Sequence, residues 1–451
     1  MVVDDGGSEM RYERGLVHGL VNGLASSARV VAVLWAGLAA GTSAVSGADL
    51  APVAFEEHLM AHQYSYAFGL TATDIDRDGD LDLTSVDIRG KNPSSASLFW
   101  YENDGRGAFQ RRVIHENEDG WLERHAAGDI NGDGRTDIAV VSNRDGLLLW
   151  FESPPGPAAG PWTRHVMCSS CPFAYDVVLT DLDADGDLDA ASAGYNSHSL
   201  AWYENPGAGG SAGEWTRRVI DDRLTENRTV RPVDFNRDGK IDLLIASVGA
   251  STQTVNDNDP ATHGAVVAWY ENSGSPQQGK WTKHVIDDQS RGAIHGHPAD
   301  VDGDGDPDVV MAFGMRPEHI EESRHQVVWY ENLGTPGAGL KWRRHQVGAL
   351  LCAFEAIAVD LDADGDQDIA ATAWSKGDRL VWYENTGDPR GVWTRHLIRE
   401  NWYAANQVIA ADLDGDGLPD LAATADDGSR RVEGANELRW WRNLGQSKVA
   451  R

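Results

Sequence analysis

One nonapeptide, D-x-[DN]-x-D-G-x-x-D, begins at Asp74, Asp129, Asp181, Asp234, Asp300, Asp360 and Asp412. Successive copies lie 52 to 66 residues apart, and a unit repeated at such a spacing restricts the chain to a repeat architecture whatever its length. Those residues are position 1. Position 3 is Asp76, Asn131, Asp183, Asn236, Asp302, Asp362 or Asp414, and position 5 is Asp78, Asp133, Asp185, Asp238, Asp304, Asp364 or Asp416. Position 9 is Asp82, Asp137, Asp189, Asp242, Asp308, Asp368 or Asp420. Oxygen side chains at 1, 3, 5 and 9, with a turn glycine at 6, make a cage suited to a hard cation such as Ca²⁺. Position 7 varies freely (Asp80, Arg135, Asp187, Lys240, Asp306, Asp366, Leu418), as expected of a residue that offers only its backbone carbonyl. An EF-hand is excluded, since there is neither a Glu at position 12 nor a flanking helical pattern.

After position 9 the chain reads as short β-branched runs, for example Ile138-Ala139-Val140-Val141, so each acidic loop joins two strands, A before it and B after it. A third strand, C, ends in an aromatic signature such as Trp202-Tyr203-Glu204-Asn205, and a fourth, D, carries Trp162-Thr163-Arg164-His165 or its equivalent. Four antiparallel strands repeated seven times predict an all-β, seven-bladed β-propeller over residues 55–443. The seventh unit stops after strand C near Asn443, while Phe55-Glu56-Glu57-His58-Leu59-Met60 is a strand D without its own blade. An N-terminal strand that completes the last blade would close the ring and remove two exposed edges. Most of the 17 tryptophans, and His58, His165, His284, His345 and His396, fall at repeating places and are read as packing.

The remaining segments are brief. Residues 1–48 place Arg11, Arg14 and Arg29 before an apolar run, Val30 to Ala40, then small residues ending at Ala48. This is the layout of a secretory signal, and the run of about eleven residues is shorter than the roughly 20 that a spanning helix needs. The alternative is an uncleaved anchor. Residues 49–54 read as a linker and 444–451 as a tail. Cys168 and Cys171 are expected to pair locally, leaving Cys352. The formal charge of -31, with no basic stripe, excludes a nucleic-acid backbone as partner.

These nonapeptides between propeller strands resemble the FG-GAP repeats of integrin α subunits and, with the Trp-Tyr-Glu-Asn strand, the FG-GAP/VCBS-type repeat proteins secreted by bacteria. The resemblance implies Ca²⁺ in the A–B loops. Phe68-Gly69 matches the Phe-Gly element, but there is no Gly-Ala-Pro element, so integrin-like ligand recognition is not carried over.

In a meander the A–B and C–D turns share one face, which leaves the B–C and D–A loops on the other. Long B–C loops carry Asp257, Asn258, Asp259, His263, Arg316, Glu318, His319, Arg430 and Arg431, and the D–A connections carry non-repeating polar and aromatic residues. These are His62, Tyr64, Arg124, His125, Arg231, His295, His297, Glu355, Trp402 and Tyr403. Two functions follow as expectations. One is a secreted, Ca²⁺-bound module that holds a glycan or extracellular protein on the face opposite the calcium loops. No H-E-x-x-H or P-loop pattern is present. The other is a sugar-active enzyme, similar to the polysaccharide lyases and sugar dehydratases that use propellers. Its acid/base candidates are His125, His297 and Tyr403, with Arg231 and Glu355 beside them in the funnel.

Overall fold

The computed structural model describes residues 53–446 except 63, 89–94, 196, 208, 210, 251–263, 316–320, 335–336 and 427–435. The expected leader and all nine residues named in the long B–C loops therefore lie outside the described residues. Among the described residues, no helix is long and apolar enough to cross a membrane.

Twenty-eight strands form seven four-stranded antiparallel sheets. The strands nearest the axis are Ala67–Thr73, Leu122–Gly128, Ala174–Thr180, Asn227–Val233, Ala293–Ala299, Ala353–Val359 and Ala405–Ala411. Each touches the next and the seventh touches the first, so they close a ring of strands A around a channel. Strand B is buried along its whole length in every blade, which explains the uninterrupted apolar and small-residue runs there. Strand C supplies the wedge between blades. Trp202 of blade 3, for example, packs with Val230, Leu243 and Tyr270 of blade 4.

The last blade takes its outer strand from the N-terminus. Phe55–Ala61 pairs antiparallel with Glu437–Asn443, Phe55 opposite Asn443 and His58 opposite Trp440. His58 stacks on Trp440 with ring centroids 4.6 Å apart, the same contact that joins Trp150 to His165 and Trp269 to His284 at 4.3 Å. The Glu57 carboxylate also receives Arg399 from blade 6 and Arg439 from its own blade, both at 2.6 Å. Scaffold histidines take a second partner from strand C: His165 meets Glu152 at 2.9 Å and His396 meets Glu384 at 2.6 Å. Cys168 and Cys171 are disulfide-bonded, and Cys352 is a buried free thiol.

Candidate functional site

The acidic turns have one geometry in all seven blades. The glycine at position 6 adopts φ between 82° and 100°, a left-handed conformation that side chains resist. Its N–H donates to the position 1 carboxylate at 2.8–3.2 Å. Residue 5 donates its N–H to Oδ1 of position 3, and residue 7 to Oδ1 of position 5. Where position 3 is an aspartate, this leaves its Oδ2, like that of position 5, outside the turn's backbone hydrogen bonds.

Position 9 is placed differently. All seven of these aspartates are buried. One oxygen accepts the N–H of position 2 and the other accepts the N–H that follows the strand-C Glu, as in Ile75 and Asn103 to Asp82 at 3.0 and 2.8 Å. Burial pushes these carboxyls up, to about 6 in Asp82 and Asp420 and about 8 in Asp308. In the turns that start at Asp74, Asp181, Asp300, Asp360 and Asp412, three carboxylate oxygens converge within 4.8 Å of one another. In the sixth turn, Asp360 Oδ1 is buried with no hydrogen-bond partner. A converging anionic donor set with an unsatisfied buried oxygen fits an oxygen-seeking divalent cation.

The strand-C asparagine carries a role that motif reading misses. In blades 1, 3, 4, 5 and 7 its Nδ2 donates to a carbonyl in its own turn and to the position 2 carbonyl of the preceding blade's turn, and in blade 6 Asn385 donates to Gln367 of its own turn. Asn205 reaches Leu188 and Ile130, both at 2.9 Å, Asn272 reaches Ile241 and Leu182, and Asn443 reaches Pro419 and Leu361. Blade 2 has Ser153 at this place, and there Thr136 Oγ1 donates to Asp74 O at 3.1 Å instead. The signal was the Asn that ends the strand-C signature in six of the seven blades, but its target lies a full blade away in the chain.

The second constellation lies in the channel. Every strand A shifts register against strand B in its first half, and such irregularities re-aim side chains. Five residues before each acidic turn stand Gly69, Arg124, Asp176, Thr229, His295, Glu355 and Gln407. Three before stand Thr71, Ala126, Val178, Arg231, His297, Ile357 and Ile409. Arg124 of blade 2 crosses the axis to the Glu355 carboxylate of blade 6. His295 Nδ1 lies 3.2 Å from Glu355 Oε2, and His297 Nε2 lies 2.6 Å from Oε1. Arg231 is held by Asp176 Oδ2 at 2.5 Å, with Nη2 3.9 Å from Glu355 Oε1.

Burial grades this cluster. Glu355, His295 and Arg124 are buried, whereas the His297 side chain is 27% exposed and that of Arg231 12%. In four blades the first four residues of strand A are buried and the last three half-buried. Solvent thus enters the channel from the end that carries the acidic turns. Burial alone would raise the Glu355 carboxyl, but Arg124 and the two histidines hold it well below the usual range. Burial, then repulsion from Arg231, keeps His297 below its ordinary value, and burial brings His295 down to about 4. Glu355 is therefore an ionised acceptor that orients a neutral His297 through Nε2–H, leaving Nδ1 with the lone pair, the arrangement of an oriented general base.

Three of the five catalytic candidates, His297, Arg231 and Glu355, meet. They stand on strands A and not in the D–A loops, because the register shift turns strand residues toward the axis. His125 does not join them. It is the outward neighbour of Arg124, its Nε2 is 2.6 Å from Thr84 Oγ1 of blade 1, and burial drives it down to about 3. This contact also explains Phe68-Gly69: a Cβ on Gly69 would lie 2.7 Å from His125 Nδ1. Tyr403 is half-buried in the turn before the last strand A. Tyr64 bonds Tyr101 (2.6 Å) and Trp402 bonds Glu437 (3.2 Å), both within blade packing, while His62 is exposed. Sequence reading passed over Asp176 and Glu123. Glu123 is a buried carboxyl pushed up to about 8 by burial, against the lowering pull of Arg228 and Arg124. Aligning the strands A by their distance from the acidic turn places Asp176 at the same position as Arg124, His295 and Glu355.

The fold is a seven-bladed propeller with acidic turns, and the model of the FG-GAP-like repeat matches residues 74–140, 181–245 and 360–423. Among curated proteins, the chain is similar to aldos-2-ulose dehydratase of Phanerodontia chrysosporium, 23% identical over 333 residues. The match covers 67% of this chain and 35% of that enzyme, so the chain spans about a third of the relative's length.

Proposed function

We propose that the channel is an active site for proton-transfer chemistry on a carbonyl sugar, by elimination of water. The observation that carries this reading is the His297–Glu355 pair at 2.6 Å, backed by buried Arg124 and flanked by half-buried Arg231 at the solvent-facing half of the channel. His297 Nδ1 would take a proton from the carbon next to the carbonyl, while the Arg231 guanidinium stabilises the charge that builds on the carbonyl oxygen. The C–O bond one carbon further then breaks, and the hydroxide leaves as water by taking the proton from the His297 imidazolium. The dehydratase named above acts, by its name, on aldos-2-uloses, and a substrate of that class has the required carbonyl and hydroxyl.

The test is incubation with an aldos-2-ulose and observation of the absorbance of the unsaturated ketone. His297→Gln is expected to lower kcat by about 100-fold or more, the size of a general-base contribution. No product from any aldos-2-ulose or uronate polysaccharide removes this reading.

Calcium in the acidic turns is part of the same proposal, as a structural cation whose removal leaves the carboxylates to repel one another. So is secretion directed by residues 1–48, which sequencing of the mature N-terminus tests. A glycan-binding role for the opposite face has its own support in Phe173, 41% exposed and packed edge-on against Tyr195, and in Arg144 lying 4.0 Å over the Trp121 ring. Glycan-array binding that survives His297→Gln and is lost in Phe173→Ala would mark that second role.

A further inference from the structure

We infer that the seven acidic turns fall into two classes of cation site, because four of them already carry a basic side chain on a would-be ligand carboxylate. The inference rests on the calcium reading above. In turn 2, Arg135 pairs with Asp133, and in turn 4 Lys240 Nζ lies 2.7 Å from Asp238 Oδ2. In turn 5, Arg390, reaching over from the C–D connection of blade 6, pairs with Asp302, and in turn 7 Arg442 pairs with Asp414. Turns 1, 3 and 6 have no Lys or Arg paired with their carboxylates among the described residues. Asp183 and Asp362 instead accept the neutral amides of Gln277 and Gln446, at 2.7 and 2.9 Å.

The contacts in turns 5 and 7 are the decisive ones. The Asp302 and Asp414 side chains are only 1% and 2% exposed, while their partners Arg390 and Arg442 are 43% and 40% exposed, so each pair joins a buried carboxylate to a half-exposed guanidinium and is screened less than a fully exposed pair. A divalent cation must displace the guanidinium before it gains that oxygen. Turns 2 and 4 lose affinity twice over, since Asn131 and Asn236 remove one negative charge at position 3 and cation affinity follows the ligand charge count. The open turns begin at Asp74, Asp181 and Asp360. Asp360 Oδ1, a buried oxygen with no hydrogen-bond partner, belongs to one of them, whereas the buried Asp414 Oδ2 of turn 7 faces Arg442.

The built-in cations therefore act as internal counterions. They offset one negative charge in each of four turns at low calcium, while three turns wait for the ion. Isothermal titration of the chelator-stripped protein with CaCl₂ is expected to resolve three tight sites, and the remaining four bind at least about tenfold more weakly, the size of a one-charge change in ligand set. Arg390→Gln and Arg442→Gln, each folded by circular dichroism, are expected to raise the number of tight sites from three to four, and the double variant to five. Seven indistinguishable sites, or a tight count that stays at three in the folded variants, overturns the two classes while leaving calcium binding standing. Absence of any calcium binding overturns both.

Discussion

Glu355 shows how one residue serves fold and chemistry through different neighbours. Its pairing with Arg124 is buried on both sides, so Arg124→Met leaves a carboxylate without its counter-charge and is expected to cost about 3–5 kcal/mol in urea unfolding. His297 is at the solvent-facing edge, and His297→Gln is expected to change stability by less than about 1 kcal/mol while lowering kcat by about 100-fold or more. Equal stability losses in the two variants would mean that both residues are scaffold. The buried histidines make a separate prediction. His125 and His295 titrate near 3 and 4 in the folded chain, below the ordinary value of about 6.5. Between those values the unfolded chain binds more protons at these two sites, so their contribution to folding stability rises with pH from about 4 to about 6.5, opposite in sign to that of the raised position 9 carboxyls and Glu123. His125→Gln and His295→Gln are each expected to flatten this rise, read from urea midpoints at about pH 4.5 and about pH 7.5. An unaltered slope in both removes this origin for it.

At the scale of the strand and turn, the asparagine after Trp-Tyr-Glu joins neighbouring blades. Asn205→Ala leaves the Leu188 and Ile130 carbonyls without their donor and is expected to cost about 1–3 kcal/mol. Blade 2, with Ser153, is the internal control: Ser153→Ala keeps the backbone N–H bond to Asp137 and is expected to be near neutral by the same denaturation assay. The blades, their turns and the strand borrowed from the N-terminus were legible in the sequence because each depends on a pattern repeated seven times. The scaffold histidines were legible for the same reason, since His165, His284, His345 and His396 recur at one place. The channel cluster was only half legible. Arg124, Asp176, His295 and Glu355 share no residue type, and what unites them is a register shift in strand A that single-strand periodicity does not encode. His125 sits beside Arg124 and points outward, a difference of one residue in a strand.

For the whole molecule, the balance of charge sets the conditions under which the ring holds. A formal charge of -31 concentrated at seven turns on one face makes divalent ions a strong determinant of stability. Chelation is expected to lower the melting temperature by about 10 °C or more, and an unchanged value removes structural calcium from the account. Deleting residues 55–61 strips the outer strand from blade 7, exposes the edge of Glu437–Asn443, and is expected to produce oligomers on size-exclusion chromatography. The asparagine contacts also have a direction. Asn205, Asn272, Asn332 and Asn443 each grip the blade made just before their own, whereas Asn103 of blade 1 grips Leu413 of blade 7. As a ribosome releases the chain, blades 3, 4, 5 and 7 each meet a finished predecessor to which this bond can fasten at once, while the first must wait for the last. Assembly then runs one way around the circle, and the seam at Asn103, where Phe55–Ala61 also docks, is the joint that completes last and is first to open under load.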